Sequence, residues 1–164
     1  MNVKIRDARD DDSDGLIRLI AGCYAEYPGC VLDVEGEAPE LIAPATWHEE
    51  AGGRLWVAER GGTIVGSVAL LPAAQGSMEL KKLYVSSEAR RFGLGARLCG
   101  LVEAEARSRG ATALDLWSDT RFEDAHRLYE QRGYERGPDT RELHDASKSV
   151  EYYFCKALCA VLET

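Results

Sequence analysis

The sequence predicts an α/β fold: a central mixed, mostly antiparallel β-sheet of about six to seven strands, with helices on both of its faces. Short alternating or continuous apolar segments predict the strands, and apolar residues at helical spacing predict the helices. Gly61-Gly62 joins two strand segments, which is typical of a hairpin. A strand–helix–strand unit in the middle of the chain has the length of a right-handed parallel crossover. With 164 residues, the chain is expected to form a single domain over residues 1–164.

The first third of the chain combines one strand with helices. Residues 3–6 alternate and predict a short strand. Asp12 or Ser13 is expected to cap a helix whose apolar side extends to Tyr27. Prolines interrupt the segment that follows, and only a short helix over residues 45–51 is predicted there.

The rest of the chain alternates between strands and helices. Strands are predicted over residues 54–60, 63–71, 77–86, 111–117, 134–143 and 149–158, and helices over residues 93–109 and 124–132. Gly110 and Gly133 end the two helices, as glycines at helix C-termini commonly do. Lys81 and Lys82 are interpreted as charges on an edge strand that keep the sheet from aggregating.

The net negative charge of the chain comes from its first third. Lys and Arg total 20 and Asp and Glu total 28, which gives a net charge of −8. Residues 1–50 hold 4 basic and 12 acidic side chains and so account for all of it. Nucleic acid and anionic membrane surfaces are therefore not expected as partners.

The cysteines and histidines give no sign of a metal site. Five cysteines are an odd number without a CxxC pair, which predicts reduced thiols and a cytoplasmic location. His48, His126 and His144 are scattered, so no metal is expected. The apolar stretches are too short to span a membrane, and the N-terminus has no signal core.

The segment from Glu79 to Ala96 carries the chemistry. A strand leads into Arg90-Arg91-Phe92 and then into Gly93-Leu94-Gly95-Ala96, where an amphipathic helix begins. The first N–H groups of a helix have no internal partner, the helix dipole is positive there, and glycines allow a close approach. Arg90 and Arg91 add charge-assisted donors. A Gly-x-Gly alone also fits an ordinary turn, but this placement favours a site for a pyrophosphate-bearing ligand.

Two spaced motifs resemble those of the GNAT N-acetyltransferase superfamily. Arg90-x-x-Gly93-x-Gly95, after a strand ending in Leu83-Tyr84-Val85, resembles its acyl-CoA-binding signature. Ala125-x-x-Leu128-Tyr129-Glu130-x-x-Gly133-Tyr134 resembles its second motif. The resemblance implies an N-acetyltransferase that moves an acetyl group from acetyl-CoA to a primary amine of a small molecule or protein, by direct attack in a ternary complex. It also makes a homodimer plausible.

The resemblance further implies where acetyl-CoA binds. The pantetheine would pair with the strand at Leu83 to Val85, where this strand splays from the one at residues 111–117, and the pyrophosphate would rest on the amides of Arg91 to Ala96. The implied cofactor-binding residues are Leu83, Tyr84, Val85, Arg90, Arg91, Phe92, Gly93, Leu94, Gly95, Ala96 and Ala125. Arg91 stands where a glycine is frequent, which adds a donor but stiffens the turn. Phe122 stands where an asparagine is usual, so a side-chain amide contact with the cofactor is not expected at this position.

Glu79 and Tyr129 are the catalytic candidates. An amine such as lysine, with a pKa of about 10.4, is mostly protonated at neutral pH, so a general base is useful. The resemblance implies Glu79 as this base, acting through a water, and Tyr129 as the acid that protonates the leaving thiolate. The N–H of Val85 is expected to polarise the thioester carbonyl. The alternatives are a solvated Glu79 and a Tyr129 that only packs in the core.

Residues 24–50 and the C-terminal strand pair are expected to form the acceptor site. Acidic residues are frequent in residues 24–50. They are Glu26, Asp33, Glu35, Glu37, Glu40, Glu49 and Glu50. They favour a cationic acceptor such as a polyamine, an amino sugar or a lysine side chain. The alternative is an acidic surface that serves solubility.

Two other functions are open to the sequence. One is a non-catalytic acyl-CoA-binding sensor or interaction module with the same fold. The other is a dinucleotide-binding fold, because Asp115 follows Gly93-x-Gly95 at a suitable distance. Leu98 stands in place of the third glycine of that fingerprint, which argues against it.

Overall fold

The computed structural model describes residues 2–159, and a seven-stranded sheet with the order β1-β2-β3-β4-β5-β7-β6 runs through them. Its strands are β1 (Lys4–Asp7), β2 (Arg54–Arg60), β3 (Thr63–Pro72), β4 (Ser77–Val85), β5 (Ala113–Asp119), β6 (Glu135–Glu142) and β7 (Val150–Ala157). Within this sheet only β4 and β5 pair in parallel. The predicted mixed, mostly antiparallel sheet is confirmed. Residue 1 and residues 160–164 of the predicted domain lie outside the described residues.

Helices cover both faces of the sheet. They are α1 (Ser13–Tyr24), α2 (Val34–Glu37), α3 (Pro44–Glu50), α4 (Leu94–Ser108) and α5 (Glu123–Gln131). Successive strand side chains point to opposite faces, so Ala58 packs in the core with Leu98 of α4 while Val57 packs with Leu16 of α1. No helix in the described part of the chain has the length and apolar character that crossing a membrane requires.

The start of the chain differs from the prediction in two respects. The first helix ends at Tyr24 instead of Tyr27, and the short α2 that follows was not predicted, since four residues give no periodic pattern. Asp12 lies at the start of α1 but does not cap it with its side chain. Its carboxylate instead accepts hydrogen bonds from the Arg6 guanidinium at 2.8 Å and from the Arg9 N–H at 2.7 Å.

The interpretation of Lys82 as a solvent-exposed charge that protects an edge strand is wrong. β4 lies between β3 and β5 in the strand order, although its side towards β5 is unpaired beyond Glu79. The Lys82 side chain is only 18% exposed, and its Nζ lies 2.7 Å from the carboxylate of Glu40. A partly buried lysine needs such a partner because burial disfavours an isolated charge.

The parallel crossover from β4 through α4 to β5 is present as predicted. Its two strands pair only from Ser77–Ala113 to Glu79–Asp115. Beyond Glu79 the strands part, although β4 continues to Val85 and β5 to Asp119. The edge of β4 that faces β5 is therefore left open at its C-terminal half.

Candidate active site

A cleft of about 500 Å³ lies beside the gap between β4 and β5. Glu79 to Tyr84 of β4 and Trp117 to Asp119 of β5 line it, together with residues between 30 and 40 and residues between 141 and 151. Tyr129 and Ala125 of α5, with Tyr24 and Phe122, also line the cleft. The structure thus brings both predicted catalytic residues into one cleft.

A β-bulge at Lys82 sets the backbone direction of the second half of β4. The pairing register with β3 shifts here, and Lys82 adopts a left-handed φ of 55°. The Ser67 hydroxyl donates to the Lys82 carbonyl at 2.7 Å. Beyond the bulge, the Ser86 N–H donates to the Val65 carbonyl of β3 at 2.9 Å. Because N–H groups alternate along a strand, the N–H of Val85 points away from β3 and towards the gap.

The turn between β4 and α4 leaves backbone amides that have no partner among the described residues. Arg91 and Gly93 both have left-handed φ angles, of 68° and 78°. Gly93 is the N-cap of α4, and no side chain caps the helix. The first N–H groups of the helix, starting at Leu94, therefore have no acceptor within it. Their arrangement suits an anion, and both Arg91 and Phe92 beside them are exposed.

The guanidinium of Arg90 binds groups of the protein itself. Its two terminal nitrogens each donate to a carboxylate oxygen of Glu26 at 2.6 Å. Its Nε donates to the Val85 carbonyl at 3.0 Å. The contact of Arg90 with a phosphate stays a prediction. Arg91 is the arginine of this pair whose side chain is exposed.

Seven acidic side chains line the cleft, and six of them have partners in the protein. Glu40, Asp119 and Glu151 form ion pairs with Lys82, Arg121 and Arg141 at 2.7 to 2.8 Å. Asp33, Glu37 and Asp145 accept hydrogen bonds from the backbone N–H groups of Gly36, Ala146 and Ser149.

Glu79 is the exception among these described acids, with neither an ion pair nor a hydrogen bond. Burial raises the pKa of its carboxyl above the ordinary value, an effect that the positive charge of Lys81 opposes and the negative charge of Asp115 reinforces. Glu79 is therefore a carboxylate free to bind a ligand or a water in the cleft.

Tyr129 presents a protonated phenol to the same cleft. Its side chain is 5% exposed, and burial raises the pKa of its hydroxyl well above the ordinary value. Its ring packs against Tyr134 and Phe154, with centroids 5.7 and 5.5 Å away. No described residue makes a hydrogen bond with its hydroxyl, which leaves that group available to a ligand.

Phe122 packs against the end of α1 instead of offering an amide. Its ring centroid lies 4.9 Å from that of Tyr27 and 6.3 Å from that of Tyr24. Tyr24 in turn brings its hydroxyl within 3.2 Å of the Tyr84 hydroxyl. The departure from the usual asparagine thus gives the cleft an aromatic wall.

Sequence reasoning missed several residues of the cleft. The sequence identifies Lys81 only as an edge-strand charge and does not single out Arg141 or the loop over residues 143–149, yet all of them contribute to the lining of the cleft. The C-terminal strand pair was expected to contribute to the acceptor site. No local pattern shows which of its residues reach across the sheet.

The cleft between the parted strands and the helix N-terminus at Gly93 together form an arrangement that suits a phosphate-bearing ligand on an open strand edge. The family model described as Acetyltransferase (GNAT) family matches residues 18–134. The chain belongs to this family and is an acyltransferase enzyme.

The relatives of the chain agree with this membership. The chain is 30% identical over 148 residues to the uncharacterized N-acetyltransferase YhfO of Bacillus subtilis. The matched region covers 87% of this chain and 95% of that protein. A GNAT-family acetyltransferase structure from Staphylococcus aureus Mu50 superposes with a TM-score of 0.81 at 18% identity, over 96% of this chain and 100% of that one. The PaiA N-acetyltransferase of Thermoplasma acidophilum, solved in complex with coenzyme A, has a TM-score of 0.76 at 18% identity, over 96% and 99% of the two chains. Both structures share the fold, and the mostly antiparallel sheet contradicts the dinucleotide-binding alternative.

Proposed function

We propose that the protein transfers the acetyl group of acetyl-CoA to a primary amine, which attacks the thioester directly while both substrates are bound. The observation that carries this proposal is the parting of β4 and β5 after the Glu79–Asp115 pair. It leaves an open strand edge that leads from a free carboxylate to the uncapped amides of α4.

The open edge and the turn fit the two ends of a coenzyme A molecule. The N–H of Val85, and by the same alternation that of Leu83, face the gap and suit the amide groups of a pantetheine. The amides from Arg91 to Ala96, with the exposed guanidinium of Arg91, suit a pyrophosphate. The complex of coenzyme A with the Thermoplasma relative of the same fold supports this donor.

Glu79 and Tyr129 divide the proton transfers between them. The acceptor nitrogen forms the new C–N bond as the C–S bond of the thioester breaks. Glu79 takes the proton of the amine, directly or through a water, and Tyr129 gives its proton to the leaving thiolate. The Val85 N–H stabilises the negative charge that develops on the thioester oxygen.

The charge of the cleft supports a cationic acceptor. Seven acids line it against the three bases Lys81, Lys82 and Arg141. This excess of negative charge attracts an ammonium group and raises its local concentration. Glu79 is placed to receive it, because the other acids already have partners.

Two measurements test the proposal. Calorimetry with coenzyme A tests the donor site, and heats equal to those of buffer dilution would refute it. Acetyl-CoA-dependent thiol release with a panel of polyamines, amino sugars, neutral amines and amino acids tests the acceptor. We expect the fastest release with the cationic amines, and turnover of anionic or neutral amines alone would contradict a cationic acceptor.

A further inference from the structure

We propose that the acceptor is a small-molecule amine that reacts beneath a fixed bridge of backbone, and that amines carried by a peptide or a folded protein are excluded. This inference rests on the proposed function and names its substrate class. The bridge consists of residues 30–37 and residues 143–149; both segments line the cleft, and hydrogen bonds join them.

Ser147 holds the two halves of the bridge together. Its hydroxyl accepts a hydrogen bond from the Val31 N–H at 2.8 Å and donates one to the Val31 carbonyl at 3.0 Å. The side chain of Ser147 is buried. A single hydroxyl thus satisfies both backbone groups of one residue, as a neighbouring strand would.

Glu37 adds a second connection. Its carboxylate accepts a hydrogen bond from the Ala146 N–H at 2.9 Å. Three hydrogen bonds therefore join the two halves at the adjacent residues 146 and 147.

The bridge is also anchored to the sheet. Arg121 donates to the Ser147 carbonyl at 3.2 Å, and its guanidinium is paired with Asp119 at the end of β5. Asp145 accepts from both the N–H and the hydroxyl of Ser149 at 2.7 Å. Opening the bridge would break several such hydrogen bonds.

The space beneath the bridge fits a small ligand. Its volume of about 500 Å³ is within the range of small-molecule sites, roughly 300–1,000 Å³, and the acetyl-bearing end of the donor must share it. A flexible diamine can enter and bring one nitrogen to Glu79. A lysine within a polypeptide carries its backbone on both sides, which would collide with the bridge.

Bisubstrate conjugates test this inference without requiring turnover. One conjugate joins coenzyme A through an acetyl spacer to spermidine, and the other joins it through the same spacer to a lysine in the middle of an unstructured peptide. By calorimetry, we expect the spermidine conjugate to bind about tenfold tighter than coenzyme A, as one charge-assisted contact provides, and the peptide conjugate to bind no tighter. Equal affinity of the two conjugates would overturn the inference. Absence of binding by coenzyme A itself would refute the proposed function, and the inference with it.

Variants of the bridge test its role. Ser147→Ala removes both hydrogen bonds to Val31, and Glu37→Ala removes the bond to Ala146 from an exposed side chain whose loss leaves the core intact. Each variant should reduce the difference in affinity between the two conjugates. The matched control is Ser108→Ala, which loses a surface hydrogen bond to the Glu105 carbonyl and should leave that difference unchanged. An unchanged ratio in both bridge variants would show that the bridge does not select the acceptor.

Discussion

Glu26 and Arg90 connect the residues after α1 to the turn before α4 through two charge-assisted hydrogen bonds of 2.6 Å. Arg90 also donates to the carbonyl of Val85, the residue whose N–H we expect to polarise the thioester. One side chain thus fixes the end of β4 relative to the acidic segment beside the acceptor cleft. We therefore expect Arg90 to act as a positioning residue.

Glu26→Gln tests this connection. Both side chains are about one-third exposed, so solvent screens the pair and its loss should lower the free energy of unfolding by only about 1 kcal/mol. Misalignment of the Val85 peptide should lower kcat by roughly tenfold, equivalent to about 1.4 kcal/mol in the transition state, with the affinity for coenzyme A unchanged. Thermal unfolding, steady-state kinetics and calorimetry measure the three quantities.

The matched control is Glu130→Gln, which weakens an exposed pair with Arg136 at 3.3 Å on a different part of the surface. It should leave kcat unchanged. If Glu26→Gln behaves like this control, Arg90 has no positioning role.

Tyr129→Phe separates chemistry from packing. The Tyr129 hydroxyl has no hydrogen-bond partner among the described residues, so its removal should leave stability nearly unchanged. As the proposed acid, its loss should reduce kcat by about 100-fold without weakening acetyl-CoA binding. Tyr134→Phe is the control because its hydroxyl donates to buried Glu103 at 3.1 Å. That variant should lose about 1 kcal/mol of stability and retain kcat, and unchanged turnover in Tyr129→Phe would remove Tyr129 from the mechanism.

The element order and the donor-binding half of the site were predictable because the residues that determine each of them lie next to one another in the sequence. Apolar periodicity and delimiting glycines mark each strand and helix. The residues from Glu79 to Ala96 form the strand, the turn and the start of α4. Residues that follow one another in this part of the sequence therefore also follow one another along the site.

The acceptor half was not predictable in the same way. Glu26 precedes Arg90 by 64 positions, and Val31 precedes Ser147 by 116. Periodicity reports only which face of its own element a residue occupies. Such distant pairs form only when the whole sheet brings their loops together, so the sequence predicts neither the ion pair of Arg90 with Glu26 nor the bridge.

The pH dependence of kcat tests Glu79 as the base. Burial disfavours the charged carboxylate and raises its pKa. Because the carboxylate is the form that accepts the proton, kcat should rise with pH through a pKa above the ordinary value of about 4.3. Glu79→Gln should abolish this rise of kcat with pH and lower kcat by about 100-fold.

Asp115→Asn provides the control for the pH profile. Asp115 pairs with Glu79 across the two strands, and its negative charge raises the pKa of Glu79. The variant should therefore keep the rise of kcat with pH, and the rise should occur at lower pH. If kcat still rises with pH in Glu79→Gln, another group is the base.

Arg91→Gly should have opposite effects on stability and on donor binding. Arg91 has a left-handed φ of 68°, which costs a non-glycine residue about 1 kcal/mol that glycine would recover. The same change removes the exposed guanidinium beside the amides of α4, so the affinity for coenzyme A should fall about tenfold. Lys148→Gly, at a φ of 50° in the loop between β6 and β7, should gain similar stability and keep its affinity for coenzyme A. If Arg91→Gly binds coenzyme A as tightly as the unaltered protein, the pyrophosphate rests on backbone amides alone and the arginine at this position contributes only strain.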